Sequence, residues 1–204
     1  MTLYKIAWIL GQYISRDVKP EEFEALVNHA QDVYFFDNIN DEGVVYPFIK
    51  HKGSDNGTMP LQVNTRGIAT LPSDFAKHLD FSTVYNSTKV QIERVENWEF
   101  NHRKTQVIEV PTREYPIATY FGTTIKFLPV SLQAVNFTYI SHPPDVVYAT
   151  TATNGMLEYD TANSVELLWN EHDQIKIIQI ILSNFGIAAT TEQIKDQSTK
   201  TSDQ

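Results

Sequence analysis

The alternation of apolar and polar residues in the first forty positions predicts two helices. Apolar side chains recur at helical spacing across Leu3–Ile14, and Thr2 precedes them as a good N-cap. Pro20 stands where proline is tolerated, in the opening turn of a helix, and two glutamates follow it near the positive helix end. An apolar stripe then runs over residues 23–34. The two segments are close in sequence, which indicates an antiparallel helix pair.

The helical periodicity is lost over residues 38–59. This segment contains NINDEG and KGSDNGT, which are rich in residues that favour turns and stay solvated. The pattern predicts a long loop outside the core, with a short strand over 44–49 as an option. Long ordered loops in compact proteins often contact a partner, so this loop is a candidate contact region.

The composition of the central part of the chain, residues 61–168, is typical of a β-rich region. It is rich in Thr, Val, Tyr and Ile, with prolines at the joints. The dipeptides Phe-Gly at 121–122 and Asn-Gly at 154–155 suit turns between strands. Residues 90–103 mix charges with scattered apolar side chains, a pattern that fits either a short helix or an irregular crossover. The predicted strands are 81–85, 117–120, 124–128, 134–140, 146–151 and 156–159.

The clearest helix pattern follows residue 170. Asn170 is a good N-cap, with Asp173 three residues on, and Gly186 supplies a C-terminal stop. Burying the apolar stripe over 175–185 is worth roughly 1.5–3 kcal/mol per large side chain. Burial requires a matching apolar surface, which the two N-terminal helices could supply. From residue 190 the sequence turns polar and predicts a disordered tail unless a partner orders it.

These elements together predict an α+β chain. An antiparallel β-sandwich or barrel-like domain is inserted between the N-terminal helices and the C-terminal helix, and these helices pack together as a small bundle. The predicted divisions are 1–60 for the N-terminal helices and long loop, 61–168 for the β domain, 169–189 for the C-terminal helix and 190–204 for the polar tail.

Charge and composition narrow the possible function classes. Lys and Arg number 16 against 25 Asp and Glu, a net charge of -9, so sequence-independent binding of nucleic acid is disfavoured. The sequence contains no cysteine, which excludes disulfides, zinc–thiolate sites and thiol nucleophiles and suits a chain that matures in a reducing cytoplasm. The N-terminal segment matches a secretory signal poorly, and no apolar stretch is long enough to cross a bilayer.

The sequence carries no motif that identifies an enzyme. The acidic loop over 37–43 fails the EF-hand template because Ile39 stands where an oxygen ligand is needed. Loops that cradle nucleotides and the serine-hydrolase elbow are also missing. We therefore expect no catalytic residue, cofactor or metal, while a carboxylate pair assembled from distant strands stays open. Metal-ligand spacing is missing among the histidines, which are His29, His51, His78, His102, His142 and His172.

The stretch ATLPSDFAKHLD, residues 69–80, combines a signal that ends one element with an apolar residue that enters the core. Leu71-Pro72 ends one element, because the residue before proline is forced into extended geometry. Ser73 then caps a short turn, Asp74 complements its positive end, and Phe75 enters the core. Three later stretches complete an ordered set, namely REYPIATYFGTTIKFLP at 113–129, VNFTYISHPP at 135–144 and LSNFGI at 182–187.

This ordered set of motifs resembles the head-to-tail connector, or neck ring, proteins of tailed bacteriophages, most of all those of the crAss-like phages of gut Bacteroidales. In that family a helix beginning around a Glu-Phe pair is followed by Leu-Pro-x-Asp-Phe. A Tyr-Pro with a β-hairpin ending in proline, a strand reading Tyr-Ile-x-x-Pro, and a closing helix come next. The corresponding residues here are Glu22-Phe23, 71–75, Tyr115-Pro116 through Pro129, and 139–143, so the resemblance covers about residues 20–187.

The resemblance implies a structural virion protein without an active site. Such proteins form homo-oligomeric rings, commonly of twelve copies, that dock under the portal protein, extend the DNA channel and join the tail. The implied partners are the portal protein, adjacent neck rings and tail proteins, with genomic DNA passing without specific binding and with no membrane. The implied location is the neck of the virion, assembled in the cytoplasm of the host bacterium. Acidic residues lining such a channel would let DNA slide past.

Three regions are the candidate contacts with these partners: the loop over 38–59, the hairpin tip over 121–124, and the C-terminal segment. The candidate residues in them are Asn38, Asp41, Tyr46, Phe48, Asp55, Phe121, Thr123, Ile187 and Ile194.

Two other function classes stay open at this point. A carbohydrate- or receptor-binding β-sandwich module is favoured by the strand-rich block and by aromatic residues at 12% of the chain, which could stack on sugars. A hydrolase whose acidic residues are brought together only by the fold is the other.

Overall fold

The chain has the predicted α+β architecture in a computed structural model that describes residues 1–14, 19–53, 58–108, 110–153 and 156–200. It forms two compact units. The first, which we call the helical unit, consists of Met1–Pro47 and Pro143–Gln204. The second, which we call the β unit, is Phe48–His142. The helices are α1 (Leu3–Ile14), α2 (Pro20–Asn38), α3 (Asn97–Thr105), α4 (Glu171–Asn184) and α5 (Thr191–Lys200). The strands are β1 (Ile49–Lys52), β2 (Leu61–Gln62), β3 (Ile68–Thr70), β4 (Phe75–Tyr85), β5 (Thr88–Gln91), β6 (Glu93–Arg94), β7 (Ile117–Phe121), β8 (Thr124–Leu128), β9 (Ala134–Ser141), β10 (Thr150–Thr153) and β11 (Met156–Tyr159).

Helix α4 is the centre of the helical unit. It packs against α1, α2 and α5, so the predicted bundle of N-terminal helices and C-terminal helix is confirmed. Helix α1 has the predicted bounds, and α2 begins at Pro20 as predicted. The apolar residues that α4 buries are Ile175, Ile177, Ile178, Ile181 and Leu182.

Both ends of α4 are formed by the residues that the sequence indicates. The side-chain oxygen of Asn170 accepts a hydrogen bond from the backbone N–H of Asp173 at 3.0 Å. At the other end Gly186 has a φ of 71°, and the N–H of Ile187 donates to the carbonyl of Leu182 at 3.0 Å. This left-handed glycine satisfies carbonyls that the helix would otherwise leave unpaired.

The expectation of a disordered tail is wrong for Thr191–Lys200, which forms α5. Thr190 and Gln193 cap the helix reciprocally, because each backbone N–H donates to the other residue's side-chain oxygen, at 2.9 and 3.3 Å. Ile194 is fully buried in the helical unit. A capping box and one buried anchor therefore order a segment whose overall composition is polar. Residues 201–204 lie outside the described part of the chain.

The predicted strand over 146–151 begins only at Thr150. Side chains of α2 take the place of a partner strand, because Asn28 donates to the carbonyl of Val146 at 3.1 Å and accepts from its N–H at 2.7 Å. The N–H of Tyr148 likewise donates to Glu24 at 2.7 Å. Strands β10 and β11 thus belong to the helical unit, and the β unit ends at His142, earlier than the predicted boundary at 168. The predicted turn over 154–155 lies outside the described residues.

The β unit is a sandwich of two sheets. One sheet has the order β1-β9-β4-β5, with β2 also paired to β9, and the other has the order β3-β8-β7-β6. All pairs are antiparallel except β6 with β7, among the strands that the structure describes. Side chains from both sheets share one core, which includes Phe81, Phe127 and Phe137. Helix α3 covers the start of β7 through Phe100, which packs with Ile117.

The structure extends one predicted strand and decides between the alternatives that the sequence leaves open over residues 44–49 and 90–103. Strand β4 starts at Phe75, earlier than the predicted residue 81, and reaches back to the end of the Leu-Pro turn. Residues 90–103 contain the end of β5, then β6 and most of α3, so both a helix and a crossover are present. The optional strand over 44–49 is replaced by a 3-10 helix at Tyr46–Phe48, followed by β1.

Candidate functional site

An open groove lies where the Leu-Pro turn meets the β7–β8 hairpin. The backbone N–H of Leu71 donates to the carbonyl of Thr123 at 3.0 Å, which ties the turn to the hairpin tip. The N–H of Phe75 closes the turn on the carbonyl of Pro72 at 3.1 Å. The groove has a volume of about 480 Å³, and we call it the aromatic groove. Its lining residues are Leu71, Pro72, Ser73, Phe75, Tyr120, Gly122 and Thr123.

Two aromatic rings form the wall of this groove. The centroids of Phe75 and Tyr120 lie 5.8 Å apart, and Phe75 also packs against the sandwich core. A smaller cavity of about 220 Å³ shares both rings and adds Lys77, His78 and Arg94 to the lining. The guanidinium carbon of Arg94 lies 5.5 Å from the centroid of Tyr120, within cation–π distance. The groove is therefore apolar and aromatic, with basic groups at one side.

The electrostatics of the groove differ from those of the whole chain. Aspartate and glutamate are missing from the lining of both cavities, although the chain carries a net charge of -9. Burial, and then the positive charge of Arg94, lower the pKa of His78, which favours its neutral form. Burial also raises the pKa of Tyr120, so its hydroxyl stays protonated. The Arg94 guanidinium lies 4.0 Å from the Glu96 carboxylate, which partly balances its charge, so the groove suits an apolar partner.

Asp74 links the Leu-Pro turn to neighbouring strands. Its carboxylate accepts hydrogen bonds from the Lys50 ammonium at 2.5 Å and from the Tyr139 hydroxyl at 3.1 Å. Burial alone would raise the pKa of Asp74, but the hydrogen bonds from Lys50 and Tyr139 outweigh it and lower the pKa below its ordinary value. Burial and the same hydrogen bond raise the pKa of Tyr139 to about 12. The turn is thus connected to strands β1 and β9.

The Asp74 contacts predict a pH-dependent part of the stability of the β unit. The pKa of Asp74 is lower in the folded chain than its unfolded value of about 3.9. Its contribution is therefore present above about pH 4 and is lost as the pH falls through the folded pKa. We expect Asp74→Asn to cost roughly 1 kcal/mol at pH 7, because the ion pair is partly exposed, and to cost less at low pH. Urea unfolding between about pH 7 and pH 3 measures this difference.

The matched control for this variant is Asp145→Asn, at an exposed aspartate of the helical unit. The control should follow the wild-type pH dependence. An Asp74→Asn cost that stays constant from neutral to acid pH would contradict the role of the carboxylate charge.

A second exposed feature follows α3, and we call residues 106–111 the apolar arm. The arm lacks helix and strand in its described residues, yet the side chains of Val107 and Ile108 are 92% and 96% exposed. Val110 is also exposed, whereas Pro111 is buried and holds the end of the arm. Adjacent aliphatic side chains left in water are unusual and often mark an interaction site.

Both flanks of the apolar arm are tied to one end of the β7–β8 sheet. Before the arm, Arg103 of α3 makes an ion pair with Glu93 of β6 at 2.7 Å, and Glu93 pairs with Ile117 at the start of β7. After the arm, the Arg113 guanidinium donates to the Ser131 hydroxyl at 3.2 Å, just beyond the end of β8. The aromatic groove lies at the other end of the same two strands, next to residues 121–124.

The structure places several predicted contact residues on exposed parts of the two units. In the helical unit Asp41 and Tyr46 are exposed, Asn38 is half-buried at the end of α2, and Ile187 is half-buried after α4. In the β unit Phe121 is 55% exposed, with the Lys126 ammonium 3.8 Å from its ring centroid. Thr123 is exposed and lines the groove.

Two predicted contact residues are instead part of the interior. Phe48 is 2% exposed in the β unit, and Ile194 is fully buried in the helical unit. Each side chain packs inside its unit. In the free chain both residues therefore serve packing and are not available as contacts. Asp55 lies outside the described residues.

The apolar arm is not among the contact regions that the sequence predicts. Its signal is the run Val-Ile-Glu-Val between the polar helix α3 and Pro111, which fits neither a helical nor an alternating pattern. Trp98 and Tyr115, near the two ends of this region, are also strongly exposed and were not singled out as contacts.

The carboxyl groups with a shifted pKa do not have the properties of a general acid. Hydrogen bonds from Asn163 and Ala162 lower the pKa of the half-buried Asp160, and the pKa of Asp74 is also lowered. A carboxylic acid that donates a proton near neutral pH needs a raised pKa. Within the described ranges of the chain, the side chains of His, Asp and Glu form no group of three or more that could hold a metal ion.

Comparison with known proteins does not assign the chain to a family. No family model matches its sequence, and no curated protein is significantly similar to it. In the part of the chain that the structure describes, no helix has both the length and the apolar character needed to cross a membrane.

Proposed function

We propose that the protein is a structural subunit of a ring in the head-to-tail connector of a tailed bacteriophage, and that it catalyses no reaction. The observation that carries this proposal is the presence of two different exposed apolar features on the β unit. The apolar arm exposes Val107 and Ile108 at one end of strands β7 and β8, and the aromatic groove lies at the other end.

Two different surfaces at opposite ends of one rigid unit support head-to-tail assembly. A symmetric dimer uses the same patch on both subunits, whereas a ring joins one surface of each subunit to a second surface of the next. The end-to-end length of β7 is about 13 Å, from four steps of about 3.3 Å between Ile117 and Phe121. Because the two sheets share one core, the sandwich would hold the two surfaces at a fixed angle to each other. Closure of a ring requires such a fixed angle.

The order of the sequence motifs supports the same proposal. Leu71 to Phe75 form one wall of the aromatic groove, and the Tyr-Pro that resembles the connector family directly precedes β7. The hairpin that follows ends at Pro129 after β8. Two of the motifs that carry the resemblance, the Leu-Pro turn and the hairpin after Tyr-Pro, thus lie at the ends of the sandwich where the candidate contacts lie.

The net charge of -9 is compatible with a DNA conduit. Acidic residues that face the channel would repel the phosphates and so limit binding of the passing genome. Docking under the portal protein and attachment of further neck or tail proteins remain parts of the proposal, with the virion neck as the location.

The test is assembly of the purified chain, alone and mixed with the portal protein of the same genome. We expect closed rings in negative-stain electron microscopy and a matching mass in sedimentation velocity, at concentrations up to about 100 µM. A chain that stays monomeric under both conditions would refute the proposal. The double variant Val107→Asp with Ile108→Asp should lose rings, because it places charges on the exposed arm.

A matched control for that variant is Met59→Asp, which adds a charge at another strongly exposed apolar side chain of the same unit. The control should assemble like the wild type. Loss of rings in both variants would show that added negative charge by itself blocks assembly.

A carbohydrate-binding module is the second candidate function. It is favoured by the aromatic wall of Phe75 and Tyr120, because sugars stack on aromatic faces, and by a groove volume within the roughly 300–1,000 Å³ of ligand pockets. Glycan-array binding that is lost in Thr123→Trp, which fills the groove, would favour this function over the ring.

A further inference from the structure

A pocket of about 310 Å³ lies beside the end of β4 and the start of β9 in the β unit. We call it the Arg113 pocket, because Arg113 is the only charged residue in its described lining. Its volume is at the lower end of the roughly 300–1,000 Å³ of ligand pockets, so it suits a small ligand. The polar residues that line it are Thr83, Tyr85, Arg113, Ser131, Gln133 and Asn136.

The guanidinium of Arg113 is held in one orientation without an acidic partner. Its Nε donates to the Ser131 hydroxyl and its Nη2 donates to the Ser131 carbonyl, both at 3.2 Å. Arg113 takes no part in any ion pair between described residues. The two hydrogen bonds to Ser131 use only some of the N–H donors of a guanidinium, so the others are available to a ligand.

The other polar side chains of the pocket carry amide and hydroxyl groups. Gln133 and Asn136 have amide N–H donors, and Tyr85 has a hydroxyl. Asn136 is 5% exposed and lines the pocket from strand β9. Thr83 fixes the wall between β4 and β9, because its hydroxyl donates to the carbonyl of Ala134 at 3.1 Å. The pocket thus combines one oriented positive charge with several amide and hydroxyl groups.

This set of donors fits a phosphate group better than other ligands. A guanidinium binds two oxygens of a phosphate or of a carboxylate side by side. A carboxylate has only those two oxygens, whereas a phosphate has further oxygens that accept from the surrounding amides and hydroxyl. A metal cation is disfavoured, because the described lining of the pocket contains Arg113 and no carboxylate.

We propose that the Arg113 pocket binds the phosphate group of a small molecule, with two phosphate oxygens on the guanidinium and another on the Gln133 amide. The net charge of -9 disfavours a long polyanion such as nucleic acid as the source of the phosphate. Ser131 is a positioning residue, because it acts by orienting the guanidinium. The site goes beyond the proposed ring, because its described lining residues all belong to the β unit of one copy.

Titration of the isotope-labelled full chain with inorganic phosphate, followed by NMR, tests the site. The signals to follow are the Nε–H of Arg113 and the side-chain amide of Gln133, at constant ionic strength so that screening does not change. We expect the shifts to saturate with a dissociation constant on the order of 1 mM. Shifts that grow linearly up to about 50 mM phosphate, with no sign of saturation, would overturn the site.

Variants of Arg113 test which group holds the phosphate. Arg113→Gln should weaken binding by at least about tenfold, because it removes the paired hydrogen bonds from a charged donor. Arg113→Lys keeps the charge but loses the planar fork, so it should weaken binding by a smaller factor, about threefold. The matched control is Arg66→Gln, at an exposed arginine of the same unit outside the pocket lining. Equal losses in Arg66→Gln and Arg113→Gln would show general attraction between charges and would overturn the site.

A second variant leaves Arg113 in place. Gln133→Glu has nearly the size of the natural side chain and adds a carboxylate to the pocket lining, so it should repel phosphate and weaken binding by about tenfold. The control with the same change in net charge is Gln12→Glu, at an exposed position of α1. Unchanged phosphate affinity in Gln133→Glu would count decisively against the site, even if Arg113→Gln fails to fold.

Three further ligands test the chemical class. Glycerol phosphate represents a small phosphorylated molecule, dimethyl phosphate represents the phosphodiester of nucleic acid, and acetate represents a carboxylate. We expect glycerol phosphate to bind most tightly of the three. Tighter binding of dimethyl phosphate would overturn the small molecule as the source, and acetate that binds as tightly as inorganic phosphate would overturn the choice of phosphate.

Discussion

Replacing Phe137 with alanine is expected to lower the free energy of unfolding of the β unit by about 3–5 kcal/mol. Phe137 is fully buried on the central strand β9. Its ring stacks on Phe81 and on Tyr139, with centroids 4.8 and 4.9 Å apart. The substitution removes the ring that links these neighbours and leaves a cavity between the two sheets, which a close-packed core fills only in part.

Amide hydrogen exchange of β9, read by mass spectrometry, measures this loss within the β unit. The matched control is Phe121→Ala, because Phe121 is 55% exposed at the hairpin tip and its loss should cost less than about 1 kcal/mol. Equal effects of the two substitutions would contradict the sandwich core described here.

Replacing Ile178 with alanine is expected to destabilise the helical unit by about 2–5 kcal/mol. Ile178 is fully buried on α4, the helix that packs against α1, α2 and α5. A cavity at this position weakens a helix on which all the others in the unit pack. The cost should therefore lie at the upper part of that range unless the neighbouring helices move inward.

Fluorescence of Trp169 during urea unfolding follows this unit in a chain whose other tryptophans are replaced by Trp8→Phe and Trp98→Phe. Trp169 is buried, and its indole N–H donates to the Gln31 side chain at 3.1 Å, so its emission should shift when the unit unfolds. The matched control is His172→Ala, at an exposed position on the same helix. A midpoint for Ile178→Ala within error of this control would show that α4 is not the centre of the unit.

The fold was largely predictable from the sequence, but the candidate contact surface was predictable only in part. Helical periodicity and end signals located α1, the start of α2 and both ends of α4, and alternating patterns located β8 and most of β9. Phe121 and Thr123 of the hairpin tip are exposed, and their role as contacts stays a prediction. Phe48 and Ile194 were misassigned, because an apolar residue in a polar segment can equally be a contact or an anchor of the core.

The tertiary structure decided the features that depend on residues far apart in sequence. Asn28 of α2 takes the place of a strand partner for Val146. No local sequence pattern predicts a hydrogen bond between residues so far apart in the chain. The aromatic groove exists only because the Leu-Pro turn and Tyr120 meet at one end of the sandwich. Val107 and Ile108 are likewise exposed in a segment whose flanks are held by contacts of Arg103 and Arg113.

The sequence by itself therefore determined the local elements, because helix caps, prolines, glycines and apolar periodicity act over a few neighbouring residues. The folded chain decided which apolar side chains are buried and which remain in water. That choice is made by packing between segments separated by many residues, and it alone places the arm and the groove at opposite ends of one sheet.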